Sequence, residues 1–194
     1  MIYNDLAANL PENWFPMDFS QKYQIFPLEP YTTEFDEIYQ FIKGNYYKVI
    51  QGIFKLQNPC LHAKYTLKLH EYTTRGPFTV KKLFHDTDQV NVESIACYNF
   101  DWRLGRRFKY GPGVYFSDSP YLANKHSWKE QSHFRSMFVV DVLIQNVQTG
   151  GPDIFLPDIG FDTVKSLNGA TYVKYFDNEY YPTYFVNYLE YNSR

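Results

Sequence analysis

Four short segments carry residues whose types and spacing suit chemistry. Leu83-Phe84-His85-Asp86-Thr87 places a histidine at the end of a short apolar stretch. Asn99-Phe100-Asp101-Trp102-Arg103 leads into a basic, glycine-containing loop with Arg103, Arg106, Arg107 and Lys109. Gly111-Pro112-Gly113-Val114-Tyr115-Phe116 sets a tyrosine just after two glycines that let backbone approach closely. A tyrosine-rich hairpin, Tyr172 to Tyr184, completes the set. Each has a plain reading too. A lone histidine is usually structural, a Gly-Pro-Gly is usually a tight turn, and a basic run is usually a solvated loop. A Rossmann site is excluded, because no third glycine completes the fingerprint and no acid follows about 20 residues on. A metal site is not expected. Cys60 and Cys97 form no CxxC, and His126 and His133 share a helix face only if one helix spans both.

The elements that must position these residues follow from patterning. Residues 1–30, with Pro11, Pro16, Pro27 and Pro30, read as an extended arm. Thr33 opens a helix with Phe35, Ile38, Tyr39 and Ile42 at helical spacing, ended by Gly44. Tyr46 to Leu56 alternates as a strand, Gln57-Asn58-Pro59 is a turn, and Leu61 to Tyr72 is a second helix. Lys82 to His85 is a short strand, and Asp88 caps a helix from Gln89 to about Tyr98 that buries Val90, Val92, Ile95 and Ala96. Val114 to Phe116 is a strand. Ser119-Pro120 starts a helix to about Trp128. Met137 to Val147, Thr171 to Phe176 and Thr183 to Tyr191 are strands, with a turn at Asp177-Asn178. Helices and mixed elements precede a strand-rich half, which predicts an α+β fold of antiparallel sheets with helices outside.

Composition agrees. The chain of 194 residues suits one domain, spanning an arm (1–30), a helix–strand–helix entry (31–75) and a core (76–194). Aromatic residues make up 20%, which favours strands and stacking surfaces, and a net charge of −2 demands no polyanionic partner. The polar start and the absence of a long apolar run predict an intracellular protein, nuclear or cytoplasmic, with no membrane span.

In that order and spacing, the LFH-x-T, NFDWR, G-x-G-x-YF and FDN…YP elements resemble the catalytic domain of the poly(ADP-ribose) polymerase superfamily, and most closely its small mono-ADP-ribosylating branch. Leu10-Pro11-Glu12-Asn13-Trp14 and Leu56-Gln57-Asn58-Pro59 extend the likeness over roughly residues 10–191. The resemblance implies the ADP-ribosyltransferase fold, two antiparallel β-sheets around an NAD cleft with flanking helices. It implies NAD+ as substrate, with no metal, and as acceptor a protein side chain or a nucleic-acid end. It assigns the catalytic positions to His85, Tyr115 and Tyr172, with Thr171 as the other alignment of the third. It assigns NAD+ contacts to His85, Asp86, Thr87, Arg103, Gly113, Tyr115, Ala123 and His126. In the family the histidine bonds a ribose hydroxyl, the next residue offers its main chain to the nicotinamide amide, and the tyrosine stacks on nicotinamide.

Polymer-forming members carry glutamate at the third position, where this chain has Tyr172 or Thr171, so single transfer is implied. The acids Asp177 and Glu179 fall in the following turn and are expected to face solvent. Three positions depart from the family. Asp86 replaces a glycine and brings a Cβ and a charge to the pocket. Ala123 replaces a serine that bonds the nicotinamide amide, and His126 replaces a second stacking aromatic, for which Tyr121 lies nearby. These departures keep a second reading open, a catalytically degenerate domain acting as an interaction module.

Overall fold

A computed structural model describes residues 10–43, 48–106, 108–127, 133–151 and 154–190. Gly44, Tyr46, Tyr47, Arg107, Trp128 and Tyr191, to which expectations attach, lie outside the described residues. In chain order the elements are β1 (Gln24–Pro27), α1 (Thr33–Lys43), β2 (Val49–Gln57), α2 (Pro59–Arg75) and β3 (Thr79–Asp88). A 3-10 turn (Gln89–Asn91), α3 (Val92–Tyr98), a second 3-10 turn (Trp102–Leu104), β4 (Val114–Ser117) and α4 (Pro120–His126) follow. Then come β5 (Phe134–Ile144), β6 (Val147–Thr149), β7 (Thr163–Lys165), β8 (Thr171–Lys174) and β9 (Tyr180–Leu189).

The fold is α+β, and its strands run in the order β1-β2-β9-β5-β3-β4-β8-β7-β6. The two expected sheets are the two halves of this order, and they are not separate. β3 and β5 pair continuously from Thr79↔Ile144 to Asp88↔Arg135, whereas β3 and β4 share the single pair Phe84↔Ser117. All pairings are antiparallel except β6 with β7, which is parallel. The sheet is therefore zipped on one side of β3 and opens on the other.

Side-chain alternation along β3 supplies two cores. Leu83 packs with Phe100, Phe116, Phe138 and Ile95 on one face. Phe84 packs with Ile38, Ile42, Met137 and Val139 on the other, under α1. Local caps set the helix ends. Thr32 Oγ1 accepts from Phe35 N–H (3.3 Å) at α1, Asn58 Oδ1 from Leu61 N–H (3.0 Å) at α2, and Ser119 Oγ from Leu122 N–H (3.4 Å) at α4.

Several elements differ from the sequence reading. Asp88 does not cap the following helix; its carboxylate is bound by Arg135 instead, and the segment splits into a 3-10 turn and α3, leaving Val90 exposed. β5 begins at Phe134, three residues before the expected start, and Val147 opens the separate β6. β8 stops at Lys174, and β9 starts at Tyr180 rather than Thr183. Strands β1, β6 and β7 were not expected. Among the described residues no helix is long and apolar enough to cross a membrane.

Candidate functional site

His85 lies on β3 directly after Phe84, the one β3 residue paired with β4. Its Nδ1 lies 2.8 Å from the main-chain oxygen of Tyr115, and its ring packs on Phe100 (4.7 Å between centroids) and Phe116 (6.0 Å). A carbonyl can only accept, so Nδ1 carries the proton and Nε2 presents a lone pair. Burial holds the imidazole below its ordinary value, so it is neutral at pH 7.

Tyr115 reaches His85 through its main chain. Its hydroxyl accepts from Tyr110 N–H (2.8 Å) and donates to the Gly111 carbonyl (2.8 Å), which ties the 110–115 loop into a ring. Burial pushes its phenol up to about 12. The adjoining glycines answer to protein contacts. A Cβ at Gly111, where φ is +83°, would collide with the Phe155 carbonyl, and one at Gly113 would lie 2.6 Å from the Lys174 carbonyl. Tyr115→Phe is expected to leave the Tyr110 N–H without its partner and to lower stability by about 1–2 kcal/mol, read as a drop in Tm. An unchanged Tm would show that the loop does not depend on this hydroxyl.

Register decides what Tyr172 can do. It pairs with Phe116, while Tyr115 pairs with Val173 and Ser117 with Thr171. Directly paired residues share a face, and neighbours along a strand do not. Tyr172 therefore shares its face with Phe116 and His85, and its side chain points away from that of Tyr115. It is buried, and its hydroxyl accepts from Lys81 Nζ at 2.8 Å. Thr171, the alternative third position, lies on the Tyr115 face. The three expected side chains thus stand on neighbouring strands β3, β4 and β8, but only His85 and Tyr172 share a face.

The Asp86 carboxylate does not enter the opening. Asp86 follows Phe84 in parity, so its side chain turns to the opposite face. There it is fully buried, 2.6 Å from Arg135 Nη2, and accepts from the Tyr188 hydroxyl. Arg135 also holds Asp88, and its guanidinium is itself fully buried. Burial pushes the Asp86 carboxyl above its ordinary value, and Arg135 offsets this only in part. The expectation of a charge in the pocket is therefore corrected: β-strand parity carries it away, and Arg135 neutralises it.

The remaining expected contacts are spread out. Thr87 Oγ1, on the His85 face, accepts from Asn91 Nδ2 (2.8 Å). Arg103 is exposed, with Nε 2.7 Å from Asp101 Oδ1. Ala123 packs against the core cluster that holds Phe84 and Met137, and His126 is exposed at the end of α4. Sequence reasoning missed Ser127, whose hydroxyl donates to the Asp86 carbonyl (2.8 Å) and lies against Arg135. It also missed Arg135, although the spacing Asp86-x-Asp88 puts two carboxylates on one strand face and asks for a cation there.

Glu179 corrects a further expectation. It is buried, not solvent-facing, and accepts from the Tyr72 hydroxyl at 2.7 Å with Lys174 Nζ 2.9 Å away. Asp177 is exposed. Among the described residues no group of three or more His, Cys, Asp or Glu is placed to hold a metal ion.

Comparison with known proteins gives the family. The model of the poly(ADP-ribose) polymerase catalytic domain matches residues 32–156, a span that includes His85 and Tyr115 and stops before Tyr172. The chain belongs to this family. It is 26% identical over 229 aligned residues to human protein mono-ADP-ribosyltransferase PARP11, covering 96% of this chain and 65% of that protein. The mouse protein of the same name is 26% identical, covering 96% and 67%. Human protein mono-ADP-ribosyltransferase PARP12 is 28% identical over 120 residues, which cover 56% of this chain and 17% of that protein. The chain thus spans about two thirds of the PARP11 relatives.

Proposed function

We propose that this chain, as one catalytic domain, transfers a single ADP-ribose from NAD+ to a protein side chain or a nucleic-acid end and releases nicotinamide. The observation that carries the reading is His85. A neutral imidazole, locked by Nδ1 onto the Tyr115 carbonyl, stands at the gap between β3 and β4 with Nε2 free of that bond. Nε2 would accept from a ribose hydroxyl and hold the nicotinamide–ribose bond in place. The Asp86 main chain would meet the nicotinamide amide, while Tyr115, whose side chain stands on the other face, would act through the carbonyl that orients His85. Positioning and electrostatics then favour cleavage to an oxocarbenium-like ribose, which the acceptor attacks as its proton leaves. Arg103, held by Asp101, would have to leave it to meet the pyrophosphate. Two unpaired thiols, Cys60 and Cys97, fit a nuclear or cytoplasmic setting.

Elongation needs a carboxylate to polarise an ADP-ribose hydroxyl. β8 carries none, and the nearby buried acid, Glu179, is engaged by Tyr72 and Lys174. Labelled NAD+ with purified protein and a lysate should therefore give sharp bands that a mono-ADP-ribose hydrolase removes fully. Long smears would overturn single transfer. NAD+ should also raise Tm by mass action. No shift at millimolar NAD+ and no labelled band would favour the interaction-module reading, for which Ala123 and His126 speak.

A further inference from the structure

Past Phe84↔Ser117 the main chain of β3 has no β4 partner, yet it is held from elsewhere. Asp86 borders the gap, and its carbonyl accepts from the Ser127 hydroxyl at 2.8 Å. Ser127 is the residue directly after α4, and its N–H bonds the Ala123 carbonyl at 3.0 Å. Its hydroxyl also accepts from Arg135 Nη2, the nitrogen that lies 2.6 Å from the Asp86 carboxylate. One guanidinium thus grips both the side chain of Asp86 and the hydroxyl that caps its carbonyl. Asn124, within α4, adds a bond to the Tyr188 hydroxyl (2.8 Å), and Tyr188 bonds the same Asp86 carboxylate. Charge in this enclosed cluster is specific to direction and distance, because burial strengthens each contact and makes any loss expensive.

We propose that Ser127, oriented by the Asp86–Arg135 pair, is a positioning residue for the nicotinamide end of the proposed site. Ala123 has no hydroxyl to offer there, and Ser127 stands four residues on, one helical turn away. The device sets the height of the Asp86 carbonyl at the gap and the distance between α4 and β3. It explains why an aspartate is tolerated next to His85: its carboxylate works from behind the strand. The inference rests on the NAD+ reading above.

The test compares two ligands that share different parts of NAD+. Benzamide mimics nicotinamide, and ADP-ribose lacks it. Ser127→Ala should weaken benzamide binding roughly tenfold, the loss of about one hydrogen bond's worth of fixed geometry, and leave ADP-ribose affinity within about twofold. Ser127→Thr, which keeps the hydroxyl, should restore benzamide affinity. In transfer assays Ser127→Ala should raise KM for NAD+ more than it lowers kcat. Equal weakening of both ligands, or none, would overturn the positioning role while the transferase reading stands. If the unaltered chain binds ADP-ribose but not benzamide, the nicotinamide end is elsewhere and the inference falls. If it binds neither ligand, the transferase reading fails first and takes the inference with it.

Discussion

Lys174→Ala is expected to lower stability by about 3–5 kcal/mol, a drop in Tm of roughly 6–20 °C for a chain of this size. Lys174 is fully buried on β8, with Nζ 2.8 Å from Asp162, 2.9 Å from Glu179 and 2.9 Å from Thr163 Oγ1. It joins α2, β7, β8 and the entry to β9 at one point. Removing it leaves two carboxylates facing each other in the interior without a cation. Burial raises the Asp162 carboxyl, but Lys174 and the Asn146 N–H more than offset this and hold it below its ordinary value. Burial wins at Glu179, which is pushed up despite Lys174. The sign of the pH effect follows. Asp162, depressed in the fold, contributes stability that is present above its unfolded value and lost as pH falls through the folded one. Without Lys174 that contribution disappears and protonation of either acid relieves repulsion. The Tm deficit of the variant should therefore be smaller at pH 5 than at pH 7.5. Lys174→Met, which keeps the aliphatic stem, should be nearly as damaging; full recovery with methionine would show that packing, not charge, holds this cluster.

How much of this was legible in the sequence depends on the range of the interaction. Ile38 and Ile42 at helical spacing, Asn58-Pro59, and Ser119-Pro120 are local signals, and α1, α2 and α4 stand close to where they predict. The start of β5 was hidden because Phe134-Arg135-Ser136 reads as polar, and only the carboxylates of Asp86 and Asp88, 49 and 47 positions away, make Arg135 a core residue. Glu179 was hidden for the same reason, since Tyr72 lies 107 positions off. The faces of Tyr115 and Tyr172 are hidden because the pattern within one strand carries no cross-strand register. Parity between strands is set by register, and one residue of slip reverses it. Phe116↔Tyr172 settles that question, and no single-strand pattern contains it. β6 and β7 are three residues each, too short to show any period.

The second large effect lies in the proposed site. His85→Ala is expected to reduce transfer by about 10²-fold and to weaken NAD+ binding, with a change in Tm of only a few degrees. The loss follows from geometry. Nδ1–H is spent on the Tyr115 carbonyl, so Nε2 is the nitrogen left to accept from a ribose hydroxyl, and a hydrogen bond in an enclosed cleft is worth about 1–3 kcal/mol. The rest of the reduction comes from misplacing the reacting bond, since cleavage depends on orientation. pH separates this role from simple packing. Burial lowers the His85 value below about 6.5, so the folded chain favours the neutral ring at pH 7. As pH falls through that lowered value the ring gains a second proton, Nε2 turns from acceptor to donor, and transfer should decline on an acid limb centred below about 6.5. The same protonation opposes folding, so stability should also fall as pH drops below the unfolded value. The alanine variant should lack the acid limb in its residual kcat/KM profile between about pH 5 and 8. His85→Gln can still accept through its amide oxygen, and it should retain more transfer than alanine, with no acid limb. Unaltered kcat/KM in His85→Ala, or an acid limb that persists in both variants, would remove His85 from the site and with it the reading built on the gap between β3 and β4.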